Sequence, residues 1–108
     1  MTSAKHRKNS SFRRHALQEI KVLTDQLQFP EGPVALLDGS VLVVEIKRGT
    51  LSRVSPNGQI DIVADLGGGP NGAAIGPDGH CYICNNGGFN WHTSSSGLVS
   101  PGQQADNY

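Results

Sequence analysis

The chain has 108 residues, 36% of them hydrophobic, with 14 Gly and 6 Pro. That length holds one small domain or a piece of a larger one, and the turn-rich profile points to an all-β protein and away from a helical one. Nine Lys and Arg balance nine Asp and Glu, yet six of the cations (Lys5, Arg7, Lys8, Arg13, Arg14 and Lys21) share residues 1–21 with one acid, Glu19, so the charge is about +5 up to Lys21 and about −5 after it. No run approaches the ~18 apolar residues of a membrane span, and no apolar stretch follows the N-terminal charges as a secretory signal requires.

Residues 1–20 form a basic arm, "MTSAKHRKNSSFRRHALQ" and onward, rich in Arg and Ser and without an acid up to residue 18. A disordered extension is expected, and an organelle transit peptide fits the same composition. Nucleic acid is not expected as a partner, because one small arm without a reading module gives only nonspecific phosphate attraction. Residues 27–33 read "LQFPEGP". Here one carboxylate, Glu31, stands between two prolines and next to a glycine, just before an apolar run. Pro30 and Pro33 restrict its backbone and Gly32 permits close approach.

From there the pattern predicts hairpins. A strand over 34–37 and a strand over 41–45 flank Asp38-Gly39, a strong hairpin signal. Strands over 50–54 and 60–64 flank Ser55-Pro56-Asn57-Gly58, and alternation puts Ile60, Ile62 and Ala64 on one face. A third hairpin joins 73–76 to 81–84 through Pro77-Asp78-Gly79. Cys81 and Cys84 sit three apart on a predicted strand, so they point to opposite faces. With no second pair to complete a zinc site, they read as free thiols in a reducing, cytoplasmic compartment. His80 and His92 show no partner in the sequence, and Phe89 and Trp91 read as packing residues. Residues 85–108 are rich in Gly, Ser, Asn and Gln and show no sustained alternation.

An internal repeat organises these hairpins. "PEGPVALLDGSVLVVE" (30–45) aligns without a gap on "PNGAAIGPDGHCYICN" (70–85). The offset of forty carries Pro30 onto Pro70, Glu31 onto Asn71, Gly32 onto Gly72, Asp38-Gly39 onto Asp78-Gly79 and Glu45 onto Asn85. A repeat of about forty residues with several strands per unit indicates β-propeller blades, each a four-stranded antiparallel sheet. Four strands between 34 and 65 make one blade; the second unit stops short. The chain thus encodes about one and a half blades and is expected to be a fragment or a truncated product. Consecutive blade strands run antiparallel, so Glu31 and Asn71 (strand starts) and Glu45, Asn85 and Asn86 (strand ends) are expected at one mouth of the central channel. Such oxygen donors suit Ca²⁺ or Mg²⁺. The plainer reading of Glu31 is a solvated loop acid, and that of Asn71-Gly72 is a turn.

The two repeat copies, "FPEGPVALLDGSVLVVEIKRGTLSRVSPNGQI" and "GGGPNGAAIGPDGHCYICNNGGF", resemble the start of the SMP-30/gluconolactonase/LRE-like family, over roughly residues 20–108. The resemblance implies a six-bladed propeller of which residues 21–108 are the N-terminal part. It also implies a divalent cation in the channel, most often Ca²⁺ with Mg²⁺, Zn²⁺ or Mn²⁺ as alternatives, and hydrolysis of small-molecule lactones such as sugar lactones. Glu31 is implied as a metal ligand and Asn71 as a site-lining residue. The family's other ligands and its general base come from later blades, so this chain alone is expected to lack activity, and "VSPGQQADNY" resembles a long loop before the family's next strand. The implied chemistry is metal-assisted attack of water on the lactone carbonyl, with a carboxylate accepting the proton. Two other classes fit the same repeat: a non-catalytic propeller platform for a protein partner, and a truncated remnant.

Overall fold

The structure, a computed structural model, describes residues 19–104. The predicted basic arm lies outside the described residues up to residue 18, and Glu19 and Ile20 belong to no regular element. All regular structure among the described residues is strand, in antiparallel sheets. No helix there is long and apolar enough to cross a membrane. Strands β1 (Pro30–Ala35), β2 (Val41–Glu45), β3 (Thr50–Val54) and β4 (Ile60–Asp65) form one sheet in chain order. β5 (Pro70–Ile75) pairs with β6 (Cys81–Asn85), and β7 (Phe89–Thr93) with β8 (Val99–Gln104), as two separate hairpins.

One five-residue turn closes four hairpins. At 36–40, 55–59, 76–80 and 94–98 the first N–H donates to the fifth carbonyl at 2.8–2.9 Å. The fourth residue is a glycine with φ between 82° and 88° (Gly39, Gly58, Gly79, Gly97). This is a type I turn closed by a left-handed glycine bulge. Asp38, Asn57 and Asp78 each accept the N–H two residues on, at 2.9–3.0 Å, which fixes the turn from within. Leu36 and Leu37 therefore belong to the turn, and β1 ends at Ala35, two residues before the predicted end. It also begins at Pro30, so Glu31 lies inside the strand.

The forty-residue offset holds in three dimensions. Pro30 pairs with Glu45 and Pro70 with Asn85; Ala35 pairs with Val41 and Ile75 with Cys81. Outside the ladders, Ile46 N–H donates to the Phe29 carbonyl (3.0 Å) and Asn86 N–H to that of Gly69 (2.9 Å). Both β1 and β5 carry a register shift near their start.

One buried cluster lies between the first sheet and β5–β6, while Val43 and Val54 are buried on the other face of the first sheet, beside Val22, Leu23 and Leu27. Leu42, Val44 and Leu51 form the cluster, with Val34, Leu36, Ala64, Ala73, Cys81 and Ile83 packed against them. Each large aliphatic contributes ~1.5–3 kcal/mol on burial, so the core is small. Ala64 corrects the predicted pattern. Leu51 pairs with Ala64 but Ser52 with Ile62, so Val63 is the extra residue of a bulge. It flips Ala64 to the core face, away from Ile60 and Ile62. The segment from Phe89 is a second correction: residues 89–104 form a hairpin, where irregular chain and a long loop at "VSPGQQ" were expected. Phe89 and Trp91 are half-buried while Asn90 and His92 are exposed, a period of two obscured by its shortness.

Candidate functional site

β5 crosses β1 at a glycine contact. Gly32 has φ 55°, and a Cβ on it would lie 2.9 Å from the Ala73 nitrogen and 3.0 Å from the Gly72 Cα. Only a residue without a side chain allows the two backbones this close. Glu31 and Asn71 each precede their glycine by one position, so the crossing carries both to the same end of the sheet pair. Both are exposed, and among the described residues neither side chain has a hydrogen bond or ion pair.

The remaining oxygen groups predicted for this rim are engaged elsewhere. Glu45 is fully buried. Its Oε1 accepts from the Gln28 N–H (2.7 Å) and Arg48 Nε (2.8 Å), and its Oε2 from Thr50 Oγ1 (3.2 Å) and from Ser52 Oγ. Burial pushes this carboxyl up, but the bonds from Ser52, Arg48 and Gln28 and the Arg48 charge outweigh it and hold the group below the usual range. Asn85 Oδ1 accepts from the N–H groups of Gly69 and Gly87 at 2.9 Å, and its Nδ2 donates to the Gly67 carbonyl at 2.9 Å. Asn86 Oδ1 accepts from Gly88 N–H at 2.8 Å. Glu31 and Asn71 thus flank the glycine contact, exposed and without a hydrogen bond or ion pair among the described residues, while Asn85 and Asn86 brace the glycine-rich loops.

Phe29, just before this site, has φ 58°, a left-handed conformation that costs a bulky residue ~1–2 kcal/mol. Its ring packs on Trp91 with centroids 5.0 Å apart, and Trp91 meets Phe89 edge-on at 5.9 Å. Glu31 also borders a groove of about 460 Å³ lined by Val22, Leu23, Leu27, Val41, Val43 and Val54. His80, expected to lack a partner, has one: its Nδ1 lies 3.0 Å from Asp78 Oδ2, which also accepts from the Tyr82 hydroxyl at 2.5 Å. That bond, more than the others, lowers the Asp78 carboxyl and raises the Tyr82 phenol. The spacing Asp-x-His-x-Tyr on a turn and strand was the available signal for it.

Among the described residues, no three or more His, Cys, Asp or Glu side chains group to hold a metal ion. A carboxylate and an amide are the right donors for a hard cation. Ca²⁺ takes about six to eight oxygens, so Glu31 and Asn71 fit as part of a shell. In comparisons with known proteins, no family model matches the chain, and no curated protein matches it.

Proposed function

We propose that residues 21–108 carry part of a metal-dependent lactone hydrolase of the SMP-30/gluconolactonase type, with β1–β4 and β5–β6 as successive blades of a β-propeller. The observation that supports this reading is the crossing of β1 and β5 at Gly32 and Gly72, beside which Glu31 and Asn71 stand at equivalent places of the repeat, exposed and without a hydrogen bond or ion pair among the described residues. Glu31 holds the cation, most often Ca²⁺, from one side, and Asn71 lines the site beside it. When bound, the cation supplies Lewis acidity to a lactone carbonyl. Pro30 and Pro33 keep Glu31 in place, so little entropy is lost when it binds. Cys81 and Cys84 are free thiols, which supports a reducing, cytoplasmic setting.

Two donors make a weak site. Calorimetric titration of the 108-residue chain with Ca²⁺ is expected to give a dissociation constant on the order of 10⁻³ M or weaker, with binding lost in Glu31→Gln and unchanged in Glu45→Gln. A gluconolactone assay on the same chain is expected to show no turnover. Binding that survives Glu31→Gln removes the metal role from Glu31. Clear turnover shows that the described donors already make a complete site.

A further inference from the structure

We propose that the cavity between β8 and the start of β1 binds a small carboxylate with an apolar body, its anionic head held by Lys47. Three stretches of chain wall this cavity of about 420 Å³: Leu27 to Pro30 leading into β1, Lys47 after β2, and Val99 at the start of β8. That volume lies in the range of small-molecule sites, which are mostly apolar with a few placed polar groups. Here Leu27, Phe29, Pro30 and Val99 supply the apolar wall, and Gln28 and Lys47 the polar groups. The wall is fixed by backbone bonds: Ile46 N–H donates to the Phe29 carbonyl (3.0 Å) and Lys47 N–H to that of Gln28 (3.3 Å).

Charge selects the head of the ligand. Among the described residues, Lys47 is the one charged group on the wall, and its ammonium has no ion pair or hydrogen bond there. Its neighbour Arg48 is different, because Glu45 takes up that charge at 2.8 Å. The Gln28 side-chain amide likewise has no partner among the described residues. Lys47 and Gln28 are adjacent through their backbone bond, so they offer an ammonium and an amide N–H to the two oxygens of a carboxylate, in the charge-assisted class of hydrogen bond. The apolar wall selects the body. Phe29 packs on Trp91 yet stays 38% exposed, which leaves part of its ring for a ligand. Its left-handed backbone, φ 58°, is an outlier of the kind that collects at ligand sites. None of this depends on Glu31 or on lactone chemistry.

Titration of the 108-residue chain with 3-phenylpropanoate, followed by ligand NMR, tests the site, with 3-phenylpropanamide and acetate as controls. The acid is expected to bind about tenfold tighter than the neutral amide, the difference one charge-assisted hydrogen bond makes. Acetate, which has the head without the body, is expected not to displace it. Lys47→Gln is expected to bind acid and amide alike, at the level of the amide in the wild type. Lys47 is exposed, so the substitution leaves the fold intact, and the comparison of acid with amide needs no variant. Four results each overturn the proposal: no binding of the acid at millimolar concentration, equal binding of acid and amide by the wild type, displacement by equimolar acetate, or a preference for the acid that survives in Lys47→Gln.

Discussion

Glu45 places a carboxylate where the first sheet admits no water, and four donors from Gln28, Arg48, Thr50 and Ser52 replace the lost hydration. Such a group is retained only while all its bonds are made. Glu45→Ala leaves those donors and the Arg48 charge unmatched and is expected to cost about 3 kcal/mol in denaturant unfolding. The pH dependence follows from the direction of the shift. The folded-state pKa is depressed, so the stabilisation is fully present above the unfolded value, about 4.3. It is lost as pH falls through the lower folded value. The gap in melting temperature between wild type and Glu45→Gln is expected to be constant near neutrality and to close below about pH 4. A gap that persists at low pH would mean the network does not depend on the charge. Glu31 differs from Glu45 in each respect: it is exposed, rigidly backed by Pro30 and Pro33, and without a hydrogen bond or ion pair among the described residues.

Three glycines separate what backbone conformation and close approach each contribute to the sheets. Gly79 has φ 82° with open space where a Cβ would go, so Gly79→Ala is expected to cost ~1–2 kcal/mol from strain alone. Gly32 combines φ 55° with backbone atoms of β5 at 2.9–3.0 Å. Overpacking adds to the strain there, and Gly32→Ala is expected to cost about 3 kcal/mol. At Gly72 a Cβ meets nothing nearer than the Cys84 Cβ at 3.7 Å, so Gly72→Ala is expected to stay within about 1 kcal/mol of wild type. Urea midpoints of the three variants check the order; a Gly32→Ala variant no worse than Gly79→Ala would deny the tight crossing. The sequence announced these elements unevenly, for physical reasons. Asp38-Gly39 and Asp78-Gly79 marked their turns because only glycine suits the left-handed bulge. The offset of forty pointed to Glu31 and Asn71. The bulge at Val63 stayed hidden because alternation in "QIDIVAD" continues smoothly through it. Pro101 and Gly102 hid β8, since both are poor strand formers. The hydrogen bonds that occupy Asn85 come from loop N–H and carbonyl groups of Gly67, Gly69 and Gly87, whose positions depend on the folded chain and not on residue type.

At the scale of the molecule, the sheets are unequally secured. The first sheet and β5–β6 share the core, whereas β7–β8 pairs with neither of them; it meets the first sheet at the contact of Trp91 with Phe29 and where Val99 lines a small cavity with Leu27, Phe29 and Lys47. It follows Gly87 and Gly88, with φ of 91° and 95°. A lone two-stranded hairpin is marginal in water, so β7–β8 depends on that docking and forms a locally weaker unit. Trp91 is the one tryptophan of the chain, which makes its fluorescence a private reporter of the hairpin. Its transition in urea is expected at lower denaturant than the far-ultraviolet dichroism of the sheets. Phe29→Ala is expected to move the fluorescence midpoint down further. Ala keeps the Cβ that is strained at φ 58°, so the change acts through the lost ring contact and its effect on the dichroism midpoint should be smaller than on the fluorescence. Coincident transitions in both proteins would show that the hairpin and the core unfold as one unit, and would deny the hairpin a separate, weaker stability.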